Sequence, residues 1–221
     1  MEDVRIRCVS ECDSGDSSAV NSDPGNYVGG ETGRMGTRGK TGRRSMMKSP
    51  YIIAVDGRCA AGKTTFAREM GIHMHCPVIQ MDHFFLQRHQ RTEERLAEPG
   101  GNVDRELFRD EVINPLVSGE SFSYRIFDCQ KMEFGEWVKV ESAPVVIVEG
   151  AYSCHPAFQK HWNLKIFLDV DPKEQIRRIR KRNGEEKLSM FIKRWIPLEE
   201  AYFSAFYIKE NSDIVLPSVL L

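Results

Sequence analysis

The sequence predicts an α/β fold: an open, mostly parallel five-stranded sheet with helices on both faces. Three observations predict it. Five short apolar, β-rich runs lie between Tyr51 and Pro217, separated mainly by segments of helical apolar spacing. Those runs are nearly continuous in hydrophobicity, as strands covered on both faces must be. The first passes without a gap into a glycine-containing loop and then a helical pattern, the strand-loop-helix unit of a phosphate site.

The elements follow in order. "YIIAVD" (51–56) is the first strand, and "KTTFAREMGI" (63–72) has the apolar spacing of a helix. "PVIQMD" (77–82) is a second strand that ends in a carboxylate. "VDRELFRDEVINPLVSG" (103–119) reads as an amphipathic helix interrupted by Pro115 and closed by Gly119. "SFSYRIFD" and "EWVKVE" alternate polar and apolar residues, which predicts a small hairpin or flap. "PVVIVEG" and "LKIFLDV" are two more strands. A basic helix follows at 172–182, then further helix to about 211 with a break at Pro197, and a last strand in "DIVLP".

Residues 1–48 differ from this pattern. They hold eight of the seventeen glycines among Ser, Asp, Asn and Arg, with no apolar period, so they are expected to form a disordered tail preceding one folded domain at 49–221. The basic residues Arg34, Arg38, Lys40, Arg43 and Arg44 are read as solvated, and a translation start at Met46 or Met47 is an alternative account of the tail. The 31 basic and 32 acidic residues leave a net charge of −1, which gives no global field for nucleic acid or an anionic membrane. No apolar run reaches membrane-spanning length and no secretory signal opens the chain, so a cytoplasmic protein is expected. The six scattered cysteines are read as reduced thiols, and "HMHC" at 73–76 as the end of a helix rather than a zinc site.

Gly57, Gly62, Lys63 and Thr64 fit G-x-x-x-x-G-K-[ST], the P-loop signature. Small residues let backbone N–H groups turn toward phosphate oxygens, and the helix N-terminus adds partial positive charge. The stretch Gly57, Arg58, Cys59, Ala60, Ala61, Gly62, Lys63, Thr64 and Thr65 is therefore assigned to a nucleotide, expected to be ATP. Lys63 is expected to reach the β- and γ-phosphates, and the Thr64 hydroxyl to ligate Mg²⁺. No N-K-x-D run is present to read guanine. The strand "PVVIVEG" ends in Glu149 rather than in an Asp with a water-orienting partner, so transfer to a small acceptor is favoured over hydrolysis.

Asp82 stands at the carboxyl end of a strand, where open α/β sheets place reactive groups. From position alone it fits a helix cap and a general base equally well. Beside these residues, "DGRCAAGKTT", "QMDHFF", "GGNVDRELFRDEVINPLVSG", "VIVEG" and the Arg-rich helix together resemble bacterial uridine kinases and related P-loop small-molecule kinases, over about residues 50–216. The resemblance implies a P-loop NTPase fold, ATP and Mg²⁺ as cofactors, Asp82 as catalytic base, and Glu149 organising the magnesium and acceptor region. It places the ribose contact between Glu98 and Asp104. It also implies a lid in "QIRRIRKRNG", with Arg178 and Arg182, four apart on one face, closing over the transferring phosphoryl group. A solvated basic helix is the plainer reading of that run.

One departure concerns the acceptor. The family's hairpin carries a histidine after its aromatic residue, whereas "RIFDCQKMEF" has Phe127 and no histidine, leaving Phe85, Tyr124 or Phe127 as the aromatic wall. Uridine or a similar nucleoside is the first expectation. Pantothenate or a sugar phosphate, and a regulator that binds ATP without transferring it, are the alternatives. The C-terminal "VLPSVLL" fits packing on its own sheet or on a second copy in a homo-oligomer.

Overall fold

The structure is a computed structural model, and it describes residues 49–218. The expected tail at 1–48 therefore lies outside the described residues.

Five strands form one parallel sheet in the order β2-β5-β1-β6-β7: β1 Tyr51–Gly57, β2 Val78–Gln80, β5 Val145–Glu149, β6 Leu164–Asp169 and β7 Ile214–Pro217. A separate antiparallel hairpin pairs β3 Phe122–Asp128 with β4 Glu133–Val140, as the alternating pattern predicts, with a bulge between Arg125 and Phe127. Alternation along β1 divides the core in two. Ile52 and Ala54 join Phe84, Phe108, Tyr124, Phe158 and Tyr202 on one face, while Ile53 and Val55 join Ala67, Ile166 and Leu168 on the other. This is why the inner strands β1 and β5 carry no polar side: both their faces are covered.

Helix α1, Lys63–Met74, starts from Gly62 and stops at His75, whose left-handed φ of 51° ends the helix before β2. The "HMHC" run is thus a helix end. After β2 come a 3₁₀ turn at Met81–His83, the short helix α2 at Glu93–Ala97, and α3 at Arg105–Phe108.

Two expected breaks are corrected. The chain passes from α3 through a π turn at Arg109–Ile113 into α4, Asn114–Ser118, so Pro115 sits in the first turn of a helix. The π turn before it accommodates the missing N–H without ending the helical run. The same device recurs: α5, Pro172–Met190, continues through a π turn at Phe191–Trp195 into α6, Ile196–Phe206, with Pro197 again in the first turn. Gly119 closes α4 in the left-handed conformation, as expected. Helix α5 kinks at Gly184, with φ 80° and ψ 168°.

Cys59, Cys76 and Cys154 are free thiols, as expected, but Cys129 is disulfide-bonded, against the all-thiol reading. Among the described residues no helix is long and apolar enough to cross a membrane.

Candidate active site

The carboxyl ends of β1, β5 and β2 meet at one edge of the sheet. Pairing puts Glu149 opposite Val55 on one side and Gln80 on the other, so the loop after β1 and the turn after β2 flank the same carboxylate. A Cβ on Gly150, at φ 131°, would lie 3.5 Å from an Asp82 carboxylate oxygen, which brings the end of β5 against Asp82.

The loop itself is built for close backbone approach. Gly57 has φ 134°, and a Cβ there would strike the Leu168 carbonyl of β6. Gly62, at φ 93°, turns the chain into α1, and Phe66 N–H donates to the Gly62 carbonyl at 2.9 Å. The N–H groups at the start of such a helix have no intrahelical acceptor and are free for an anion. Lys63 Nζ donates to the Gly57 and Arg58 carbonyls at 2.6 and 3.0 Å, folded over the loop it serves. Thr64 is exposed beside it, and Thr65 is half-buried.

Four carboxylates gather around this lysine. Burial pushes Asp82 above the ordinary carboxylate range, opposed by the charges of Lys63 and Arg182. Burial, and then the charge of Asp82, pushes Glu149 up to about 7, against the pull of Lys63 and a hydrogen bond from Thr64. Glu199 is raised to about 7 by burial, and Asp56 is also raised by burial, each opposed by Lys63. Buried acids of this kind release protons when a cation arrives. Two carboxylates and a hydroxyl are the hard oxygen donors that suit Mg²⁺, which completes its shell with phosphate oxygens and water. Among the described residues no group of three or more His, Cys, Asp or Glu forms a ready metal cage, and Mg²⁺ held partly by phosphates requires none. Thr64 and Glu149 therefore fit the ion, with Asp82 beside them.

Two acids the sequence reading missed hold the loop in shape. Asp56, wholly buried, accepts from Gly57 N–H at 2.7 Å, Cys154 N–H at 2.9 Å and the Tyr202 hydroxyl at 2.8 Å. Glu199, on α6, accepts from Cys59 N–H at 2.9 Å. The signal for Asp56 was present, an acid ending a buried strand, whereas nothing local marks Glu199. Arg58 braces the loop outward, reaching Glu200 and Asp169 at 3.2 Å each.

Arg178 and Arg182 take different places. Arg178 is paired with Glu174 at 2.7 Å and donates to the Ala60 carbonyl at 3.2 Å and to the Ser218 hydroxyl. It thus braces the phosphate loop through the Ala60 carbonyl. Ala60 itself holds a left-handed φ of 61°. Arg182 is exposed, two residues before the Gly184 kink, and its charge is felt at Asp82.

The expected acceptor residues scatter. Asp104 is buried as the cap of α3, with one oxygen on Leu107 N–H at 2.9 Å and the other on the Gln90 amide at 2.7 Å. Glu98 is exposed and paired with Arg105 at 2.6 Å. Tyr124 is in the core, its hydroxyl 3.0 Å from His83 Nδ1, and Phe127 packs on Phe134 in the hairpin. Neither forms an open aromatic wall. Phe85 is half-buried and bridges to Val103, three residues past Asp82.

No protein-family model matches the chain. It is 26% identical over 190 residues to the uridine kinase of Halalkalibacterium halodurans, covering 78% of this chain and 88% of that one. It is 28% identical to the uridine kinase of Ligilactobacillus salivarius, over 76% of this chain and 85% of that one. Against uridine kinase-like protein 4 of Arabidopsis thaliana it is 26% identical over 78% of its length but spans only 39% of the relative's. Among solved structures, a Bacillus stearothermophilus protein described as a possible uridine kinase superposes with a TM-score of 0.57 at 16% identity, over 76% of this chain and 89% of that one. The D-glycerate 3-kinase of Cryptococcus neoformans gives 0.53 at 16% identity, over 76% and 86%. By sequence the chain is thus similar to uridine kinases at 26–28% identity, and its fold is the α/β fold of the P-loop kinases.

Proposed function

We propose that the protein transfers the γ-phosphoryl group of ATP, with Mg²⁺, to a hydroxyl of a small molecule, with the 5′-hydroxyl of uridine or a similar nucleoside as the first candidate. The observation that carries this reading is the convergence of Lys63, Thr64, Asp82 and Glu149 at one sheet edge, a donor site and a base together. A module that only binds nucleotide needs no such carboxylate as Asp82.

Each residue has a task. The loop N–H groups from Arg58 to Thr65 hold the phosphates, and Lys63 leaves the Gly57 and Arg58 carbonyls to neutralise charge on the transferring group. Thr64 and Glu149 hold the metal, which when bound draws charge off the phosphates. Asp82 orients the acceptor hydroxyl and takes its proton as the oxygen attacks, an effect worth roughly 10² to 10⁴ in rate. Arg182 closes from α5 about the Gly184 kink, while Arg178 keeps the loop rigid beneath it.

The nucleoside comes from the relatives' names, and the hairpin favours a second reading within the same class. It has no histidine after Phe127, and Tyr124 is tied to His83 in the core, so a kinase for another small alcohol, such as pantothenate or a sugar phosphate, fits as well. We place the activity in the cytoplasm, without nucleic acid or membrane as partner. ADP release with ATP and Mg²⁺ across uridine, cytidine, other nucleosides, pantothenate and simple sugars tests both readings. Acceptor-dependent release identifies the substrate; ATP binding with no release for any of them defeats the nucleoside assignment.

A further inference from the structure

A cavity of about 260 Å³ lies between the loop after Asp82 and the start of α6. Its walls include Phe85, Arg91, Asn102, Lys193, Arg194 and Trp195, and no acidic residue lines it. Among the described residues none of the three cations has a carboxylate at ion-pairing distance. Arg91 spends only its Nε, on the Leu86 carbonyl at 2.8 Å, and the Arg194 guanidinium lies over the Trp195 ring at 5.5 Å. Their charges meet: burial first, then Arg194 and Arg88, lowers the basicity of Arg91. Like charges held together without a counter-charge destabilise a fold unless a ligand supplies it.

Two neutral donors share the place. Trp195 Nε1 is buried with no hydrogen-bond partner, and Asn102 Nδ2 is buried near the Tyr152 hydroxyl but outside hydrogen-bond geometry. Buried unpaired donors are uncommon and costly, roughly 1–3 kcal/mol each. Two of them beside three unpaired cations form one set of donors awaiting an acceptor.

The cavity adjoins the reaction edge. Phe85 is three residues past Asp82, so their Cα atoms are within about 11 Å. On the other wall Leu198 precedes Glu199, whose carboxylate holds Cys59 of the phosphate loop.

We propose that this cavity seats an oxyanion, a carboxylate or phosphate, carried by the acceptor whose hydroxyl Asp82 activates. The proposal rests on the phosphotransfer reading and narrows its substrate to anionic alcohols. Arg91 and Arg194 grip the oxyanion, and Trp195 and Asn102 supply directed hydrogen bonds. Uncharged alcohols, uridine included, leave these groups unpaired and are used less well for that reason, which favours the second reading given above, a carboxylate- or phosphate-bearing alcohol, over the free nucleoside.

Two experiments test it on the full chain. Calorimetric titration with inorganic phosphate, ADP and Mg²⁺ already saturating the phosphate loop, is expected to show saturable binding. Arg194→Gln should weaken it about tenfold or more, with Arg194→Lys restoring part of the loss and ADP affinity unchanged. Absence of saturable binding, or binding indifferent to both Arg194→Gln and Arg91→Gln in folded protein, overturns the cavity assignment. If ADP does not bind, the phosphotransfer reading fails, and the same titration in Lys63→Ala still decides the cavity. Turnover of matched pairs, glycerol against D-glycerate and uridine against uridine 3′-monophosphate, then separates the sources of the anion. Preference for charged members, with KM rising in Arg194→Gln and kcat held, supports the acceptor assignment. Equal use of neutral members while free phosphate still binds overturns it and leaves a site for a free anion.

Discussion

The Glu199 carboxylate on α6 accepts a hydrogen bond from the Cys59 backbone N–H in the phosphate loop at 2.9 Å. A residue 140 positions downstream thus sets the shape of the nucleotide site. Glu199→Gln keeps an acceptor oxygen and is expected to retain ATP binding, whereas Glu199→Ala frees the loop and should raise the KM for ATP roughly tenfold. Steady-state kinetics on the two variants decides it, and equal effects would show that the hydrogen bond does not matter.

Asp82→Asn keeps size and removes the proton acceptor. It is expected to leave ATP affinity intact while lowering kcat by about two orders of magnitude or more. Unchanged kcat would remove Asp82 from the reaction and return it to a capping role.

Lys63→Ala should abolish turnover, because Lys63 is the cation whose charge acts on Asp82, Glu149, Glu199 and Asp56 alike. Single-turnover assays with ATP would reveal any residual transfer.

Glu149 gives a pH prediction. Its value of about 7 lies above the ordinary 4.5, so the folded protein favours the protonated acid. Its contribution to stability is present below about pH 4.5 and is lost as pH rises through about 7. Glu149→Gln is therefore expected to raise Tm at pH 8 and not at pH 4, with a gain in stability of at most about 3 kcal/mol. Mg²⁺ competes with the proton, so metal affinity in the wild type should climb through pH 7 and be lost in the variant. Calorimetry at the two pH values reads both effects, and a variant no more stable at pH 8 would contradict the buried charge.

Much of this was legible in the chain. The five strands, α1 and the hairpin follow from apolar periodicity, and the loop from Gly57 to Thr64 from a contiguous motif, since both are dictated by neighbours in sequence. The place of Asp82 and Glu149 at strand ends was legible, where such folds gather their chemistry, whereas the roles expected of them came from the family resemblance. The two proline breaks were misread because a π turn lets the chain enter a new helix with the proline in its first turn, a choice made by packing.

By itself the sequence determined the fold class, the phosphate loop and the pair of carboxylates at the sheet edge. Only the tertiary structure decided the order β2-β5-β1-β6-β7, the clasp of Glu199 on Cys59, the use of Arg178 as a brace, the capping of α3 by Asp104, and the cationic cavity. Most of these join residues far apart in the chain, where no local period or spacing carries information. Asp104 shows the same limit at short range: a capping carboxylate and a ligand-binding one read alike until packing decides which groups its oxygens meet.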